Sequence, residues 1–162
     1  MEKEKKVYEI LEYLQIPYLR YEHTPVYTIE EANQLDLDMQ GQHCKNLFVR
    51  DKKGERHYLV IIEESKKVDL KSLSKQIEST NLSFASEERL LRYLGLTPGA
   101  VSPFGLINDR EKHVEVLLDE DITLLKDISF HPNVNTATVT LSFQDFRRFL
   151  SWTGNKMRLI KV

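Results

Sequence analysis

Three segments of the chain carry residue types that could do chemistry. The first is "HCKN", residues 43–46, in which a histidine, the only cysteine, a lysine and an asparagine stand immediately before the apolar run Leu47-Phe48-Val49. A lysine at the mouth of an interior strand must run its stem along apolar surface to water or aim its ammonium at an anion or carbonyl in a cleft. Asn46 beside it offers two donors and an acceptor, which suits a turn or a ligand. The second is "TPGAVSPFG", residues 97–105, which holds two of the five prolines and two of the six glycines. Only the small side chains of Ala100, Val101 and Ser102 separate Gly99 from Pro103. Proline fixes its own φ and glycine opens positive φ, so this stretch reads as a rigid loop whose peptide groups are bare. Such a backbone can build an oxyanion hole or grip a small polar substrate. The third is "HPNVNTAT", residues 131–138. His131 precedes a proline, and Asn135 and Thr138 lie on chain that becomes a strand, so they need not share a face.

Other chemistries find no footing. Structural zinc calls for four nitrogen or sulfur ligands at recurrent short spacings, and neither C-x-x-C nor H-x-x-x-H occurs among the five histidines and Cys44. Cys44 as a nucleophile needs a base that the sequence does not place, and a small buried apolar side chain is the simpler role for it. No Ser-His-Asp order or carboxylate pair assembles, and no Gly-rich turn leads from a strand into a helix to cradle phosphate. No metal or cofactor is therefore expected. If the chain is an enzyme, its power comes from placed dipoles and from the substrate's own groups.

The elements that must position these residues follow from periodicity. Val7, Ile10, Leu11 and Leu14 mark a first helix that Pro17 stops, and a strand follows at 18–22. Thr28 with Glu31 forms a capping box that opens a helix to about Leu35. Strands at 45–50 and 58–63 flank the turn "DKKGE". Asp69 and Ser86 cap two further helices, the second ending at Gly95. Strands are expected at 104–107, 113–118 and 136–141, then a helix from Ser142 carrying Phe143, Phe146, Phe149 and Leu150, and a closing strand from Met157. Hairpins mixed with strand–helix alternation predict an α+β fold, a mixed sheet with helices around it rather than a doubly wound parallel one.

A chain of 162 residues with 41% apolar and 30% charged residues suits one globular domain spanning 1–162. No apolar run reaches a membrane span and the N-terminus lacks a signal-peptide core, so no membrane partner and a cytoplasmic location are expected. A formal charge of −2 excludes coating of nucleic acid by charge alone. Two local patches could still face phosphate: Arg50, Lys52, Lys53 and Arg56 in one, and Arg147, Arg148, Lys156, Arg158 and Lys161 in the other.

Taken together, Lys45-Asn46, the G-x-x-x-P of Gly99–Pro103 and His131-Pro132 with Asn135 and Thr138 closely resemble the YbaK/ProX family of prolyl-tRNA editing domains. The likeness spans nearly the whole chain, including "YEHTPVYTIEEA", and is greatest to the free-standing branch called PrdX or ProXp-ala. The resemblance implies a central mixed, largely antiparallel curved sheet and a hydrolase that clears alanine from tRNA(Pro) in trans. The same fold could instead clear cysteine or another small residue, or bind aminoacyl-tRNA or a synthetase without catalysis. Carried over to this sequence, Lys45 would orient the acceptor end, Gly99 to Pro103 would hold the aminoacyl group through their backbone, and His131 would shape the pocket or position the 3′ end. Asn46, Asn135 and Thr138 would line it. Water would attack the ester with help from the terminal adenosine's own hydroxyl. The implied partners are the tRNA(Pro) acceptor end and prolyl-tRNA synthetase.

Overall fold

The apolar run that follows the "DKKGE" turn becomes an interior strand of the sheet. Strand β3 (His57–Glu63) is buried from His57 through Ile62, as a continuous apolar strand covered on both faces must be. The computed structural model describes residues 2–23 and 42–162. The expected helix from Thr28 to Leu35 lies outside the described residues. Strand β3 pairs antiparallel with β2 (Gln42–Arg50) and parallel with β5 (Val114–Asp119), and β8 (Met157–Ile160) lies parallel to β5. On the other side β2 meets β6 (Asp127–Phe130) in parallel, while β6, β7 (Ala137–Ser142) and β1 (Leu19–Glu22) follow antiparallel. The order is β1-β7-β6-β2-β3-β5-β8, and the short β4 (Ser83–Phe84) pairs with the end of β2. The sheet is mixed, as expected, with more antiparallel than parallel pairings among the described residues.

Strand alternation sorts the apolar side chains onto two faces. Phe48, Leu59, Ile61, Val116, Leu118, Phe130 and Val139 belong to the larger core. Helices α1 (Glu2–Tyr13), α3 (Glu87–Leu94) and α4 (Phe143–Thr153) contribute to it. Val49, Val60, Ile62 and Leu117 form the smaller core with Leu73 of α2 (Leu70–Gln76). The caps fall where the sequence puts them. Asp69 accepts from the N–H groups of Lys71 and Ser72, Ser86 from Arg89, and Ser142 from Asp145.

The expected strand at 104–107 is not one. Pro103–Asn108 form a 3-10 turn, η1, with Pro103 in its first turn and the Ser102 hydroxyl accepting from the Phe104 N–H. Proline lacks the N–H that a strand ladder needs but a first helical turn does not. Leu106 and Ile107 are apolar in either geometry, so the pattern alone does not decide. Strands β4 and β6 and a second 3-10 turn (Glu120–Leu124) had no counterpart in the sequence reading.

Four phenylalanines tie these pieces together. Phe104 of η1 meets Phe130 edge-on at 6.2 Å and Phe149 at 5.1 Å, and Phe130 meets Phe146 at 4.8 Å. Elsewhere, α3, β3 and the start of β5 are joined by a polar chain. Arg89 Nη1 lies 3.0 Å from His57 Nε2, and His57 Nδ1 lies 2.9 Å from His113 Nε2. A guanidinium can only donate, so Nε2 of His57 accepts and Nδ1–H donates onward to His113. Burial, then the charges of His113 and Arg89, push the His57 imidazole down to about 4. The unfolded ring takes its proton near 6.5, so the unfolded state binds more protons between those values. Stability is therefore expected to be full above pH 6.5 and to fall progressively toward pH 4. Urea unfolding across that range should show a flatter profile for His57→Gln than for the wild type. An equally steep profile would assign the acid sensitivity to other groups.

Candidate functional site

Strand β2 runs nine residues, yet on the side away from β3 it has strand partners only near its two ends among the described residues. Gln42 and His43 face Ile128 and Ser129 of β6, and Val49 and Arg50 face β4. Between them the sheet splits, with Cys44–Leu47 on one side and the chain leaving Phe130 on the other. Peptide groups released from a ladder must find other partners, and a binding site can use that need.

Alternation puts His43 and Lys45 on one face of β2, and Cys44 and Asn46 on the other. Register carries the first face across to Ser129, Thr138 and Thr140. All three are buried polar side chains. The Lys45 ammonium does not run out to water. It donates to the Lys66 carbonyl at 2.9 Å, which leaves two further N–H donors on Nζ. Lys66 is itself anchored by Asp119 at 3.0 Å and Asp121 at 2.6 Å. The Oδ1 of Asn46 is buried on the opposite face without a hydrogen-bond partner among the described residues.

His131 follows β6 directly. Its Nδ1 lies 2.9 Å from the Ala137 carbonyl. A carbonyl only accepts, so Nδ1 bears the hydrogen and Nε2 is the basic nitrogen. Burial, and beyond it the neighbouring His23 and His43, hold the imidazole below the usual histidine range, against the opposing pull of the Ala137 bond. His131 is therefore neutral at pH 7. His23, whose ring centroid lies 6.0 Å from that of His131, has Nε2 2.9 Å from the Thr138 hydroxyl.

The 97–103 loop reaches this segment through Gly99. Gly99 has φ +88°, and a Cβ on it would sit 3.7 Å from the Asn135 amide nitrogen. Asn133 donates to the Phe104 carbonyl at 3.3 Å, fixing the base of the loop. Thr97, Pro98 and Gly99 are exposed, Val101 is half-buried, and Ala100, Ser102 and Pro103 are buried. The Ser102 hydroxyl is used in capping η1, so backbone rather than side chain is what this loop presents. Gly99 thus meets Asn135, while His131 and Thr138 meet through His23, with Lys45 on the same side of the sheet as Thr138 and Asn46 on the other.

Burial, together with Glu63, Asp119 and Glu64, pushes the Cys44 thiol up to about 12. It stays protonated and is no nucleophile at neutral pH. Among the described residues no group of three or more His, Cys, Asp or Glu could hold a metal ion. The sequence reading did not single out His23. Its signal is positional: like His131 it lies beside a strand end, but its hydroxyl partner is 115 residues away.

Residues 23–149 match the family model for the aminoacyl-tRNA editing domain. The chain is 46% identical over 162 residues to the prolyl-tRNA editing protein ProX of Acetoanaerobium sticklandii, covering 100% of this chain and 99% of that protein. It is 36% identical over 138 residues to the prolyl-tRNA synthetase associated domain-containing protein 1 of Mus musculus, covering 83% and 81% of the two chains. A crystal structure described as that of a candidate trans-editing enzyme for prolyl tRNA synthetase matches with a TM-score of 0.73, over 100% of this chain and 98% of its own. At 20% identity that match speaks for the fold. The family model takes in Lys45, the Gly99–Pro103 loop and the His131–Thr138 segment, and the chain belongs to the aminoacyl-tRNA editing domain family.

Proposed function

We propose that the chain is a trans-editing deacylase that removes alanine from mischarged tRNA(Pro). The observation that carries the reading is the meeting of an exposed, Cβ-free Gly99 with Asn135, in the segment that also holds the neutral His131. Bare backbone at positive φ lets a small aminoacyl ester approach closely. End-to-end likeness to a prolyl-tRNA editing protein supports tRNA(Pro) as the carrier. The name of the mouse relative suggests prolyl-tRNA synthetase as a second partner.

In this reading the backbone of Gly99 to Pro103 holds the aminoacyl group, and donors there stabilise the developing oxyanion. Lys45, already seated on the Lys66 carbonyl, directs its remaining donors to the phosphate or ribose of the terminal nucleotide. His131 offers Nε2 as an acceptor for the terminal hydroxyl or the α-amino group. The terminal adenosine's own hydroxyl orients a water, whose oxygen bonds to the ester carbon. The carbon–oxygen bond to the ribose then breaks, the ribose oxygen takes up the proton that the attacking water gives up, and the free amino acid leaves. A protein nucleophile is not required, which suits a Cys44 thiol pushed up to about 12.

The deciding experiment is single-turnover deacylation of Ala-, Cys- and Pro-tRNA(Pro) by the wild-type protein. Fastest hydrolysis of the alanyl ester, with the prolyl ester spared, is the expected result. Preference for the cysteinyl ester would move the assignment to that substrate. Loss of the Lys45 ammonium removes an orienting contact, so Lys45→Ala should lower the rate by about 10²-fold, roughly 3 kcal/mol of transition-state positioning, with an unchanged circular dichroism spectrum. Normal turnover by the folded variant would remove Lys45 from the site.

Gly99→Ala separates strain from contact. A Cβ there meets Asn135 at an ordinary 3.7 Å, so the penalty is the left-handed backbone, roughly 1–2 kcal/mol. The melting temperature should fall modestly, while alanyl-ester hydrolysis falls about tenfold or more as the loop moves out of register with its ester. Full activity per folded molecule would show that this backbone does not touch the substrate.

A further inference from the structure

The Lys45 ammonium is only as well placed as the carbonyl that receives it. Lys66, which supplies that carbonyl, lies between β3 and α2, outside any strand or helix. Its own N–H donates to the Glu63 carbonyl at 3.0 Å, a contact within one turn of chain. A single carboxylate supplies the long-range restraint. Asp119 is the last residue of β5 and is fully buried, at 0% exposure. It stands one residue beyond Leu118 and Ile61, the last paired residues of β5 and β3.

Both oxygens of Asp119 are in use. Oδ2 accepts the Glu63 N–H at 3.1 Å, where β3 ends. Oδ1 accepts the Asp121 N–H and the Lys66 ammonium, each at 3.0 Å. One side chain thus grips the segment at Glu63 through the main chain and at Lys66 through the side chain. Asp121 also meets Lys66, at 2.6 Å, but its side chain is 56% exposed where that of Asp119 is 0%. Water screens an exposed pair, so the buried contact is the one that fixes geometry.

A buried ion pair adds little stability over apolar side chains of the same volume. What this one supplies is placement. Lys45 pairs with Ile62 in the β2–β3 ladder, and its ammonium reaches past Glu63 to the Lys66 carbonyl. Lysine has a long, freely rotating stem, and freedom removed on folding need not be removed again when an ester binds.

We propose that Asp119, acting with Lys66, is a positioning residue of the editing reaction: it fixes the Lys66 carbonyl and so aims the Lys45 ammonium at the acceptor end. Asp119 itself touches neither ester nor nucleotide in this assignment. This rests on the role proposed for Lys45 above.

The test is a double-mutant cycle in single-turnover deacylation, with protein in excess, of whichever charged tRNA(Pro) the wild type clears fastest. Asp119→Asn keeps the volume, but an amide has one oxygen where the carboxylate has two, so either the Glu63 N–H or the Lys66 ammonium loses its acceptor. Lys66→Met removes the ammonium, leaves the backbone carbonyl, and stands in if Asp119→Asn does not fold. Each should lower the maximal rate constant about tenfold, while the protein concentration at half-maximal rate changes by less than about twofold. In a Lys45→Ala background the same substitutions should cost nothing further, because the group they aim is gone. A merely structural defect does the opposite: it shrinks the active fraction, which raises the half-maximal concentration and leaves the maximal rate constant as it was. That pattern, or an equal fractional loss with and without the Lys45 ammonium, would overturn the assignment. Wild-type deacylation beside either result would leave the editing function standing. A wild-type protein that deacylates no charged tRNA(Pro) would overturn both proposals together.

Discussion

The bare loop and the His131 segment of the candidate site hang from the contact between Phe104 and Phe130. Each is the immediate neighbour of a site residue: Pro103 precedes Phe104, and His131 follows Phe130. Their rings meet edge to face at 6.2 Å and are backed by Phe149 and Phe146 of α4. Aromatic burial on this scale dominates local energetics, and the edge-on geometry adds direction to it. The loop and the His131 segment are far apart in sequence and share no strand pairing. A slip of either phenylalanine would displace Gly99 relative to Asn135, and a displacement of about an ångström is enough to disable an oriented site.

Around that anchor the structure keeps its ionisable groups in defined states by burial. His131 is neutral because it is desolvated beside two other imidazoles, and its Nδ1 is committed to the Ala137 carbonyl. Cys44 is kept as a thiol by burial and by nearby carboxylates. The Lys45 ammonium is positioned by a carbonyl whose own residue is anchored by two aspartates. A placed cation suits an ester whose developing charge is negative. At the β2–β3 turn, arginines hold carbonyls.

The mixed sheet makes this division of labour possible. β3 and its neighbours give a continuous wall with a core on each face. The split between β2 and β6 opens the sheet where Lys45 and His131 are placed. A sheet paired along its full length would have consumed those backbone groups in the ladder.

What the sequence determined by itself was local. The caps at Asp69, Ser86 and Ser142 and the Phe143–Leu150 stripe were all readable, because each depends on contacts within one turn of chain. The apolar strands were readable from run length and alternation, and the mixed character of the sheet followed from their order. The residues proposed for the site could be named from the sequence as a lysine, a bare loop and a histidine, but not placed relative to one another. Tertiary structure decided the rest. It turned 104–107 into η1, where a short apolar run was ambiguous until Pro103 and Ser102 fixed its start. It seated Lys45 on the Lys66 carbonyl, 21 residues on, which no local signal encodes. It also brought His23 to Thr138 across 115 residues, through a strand pairing that neither segment encodes alone. Local signals act within a turn of backbone, whereas a site assembled from four distant segments exists only once packing has chosen their neighbours.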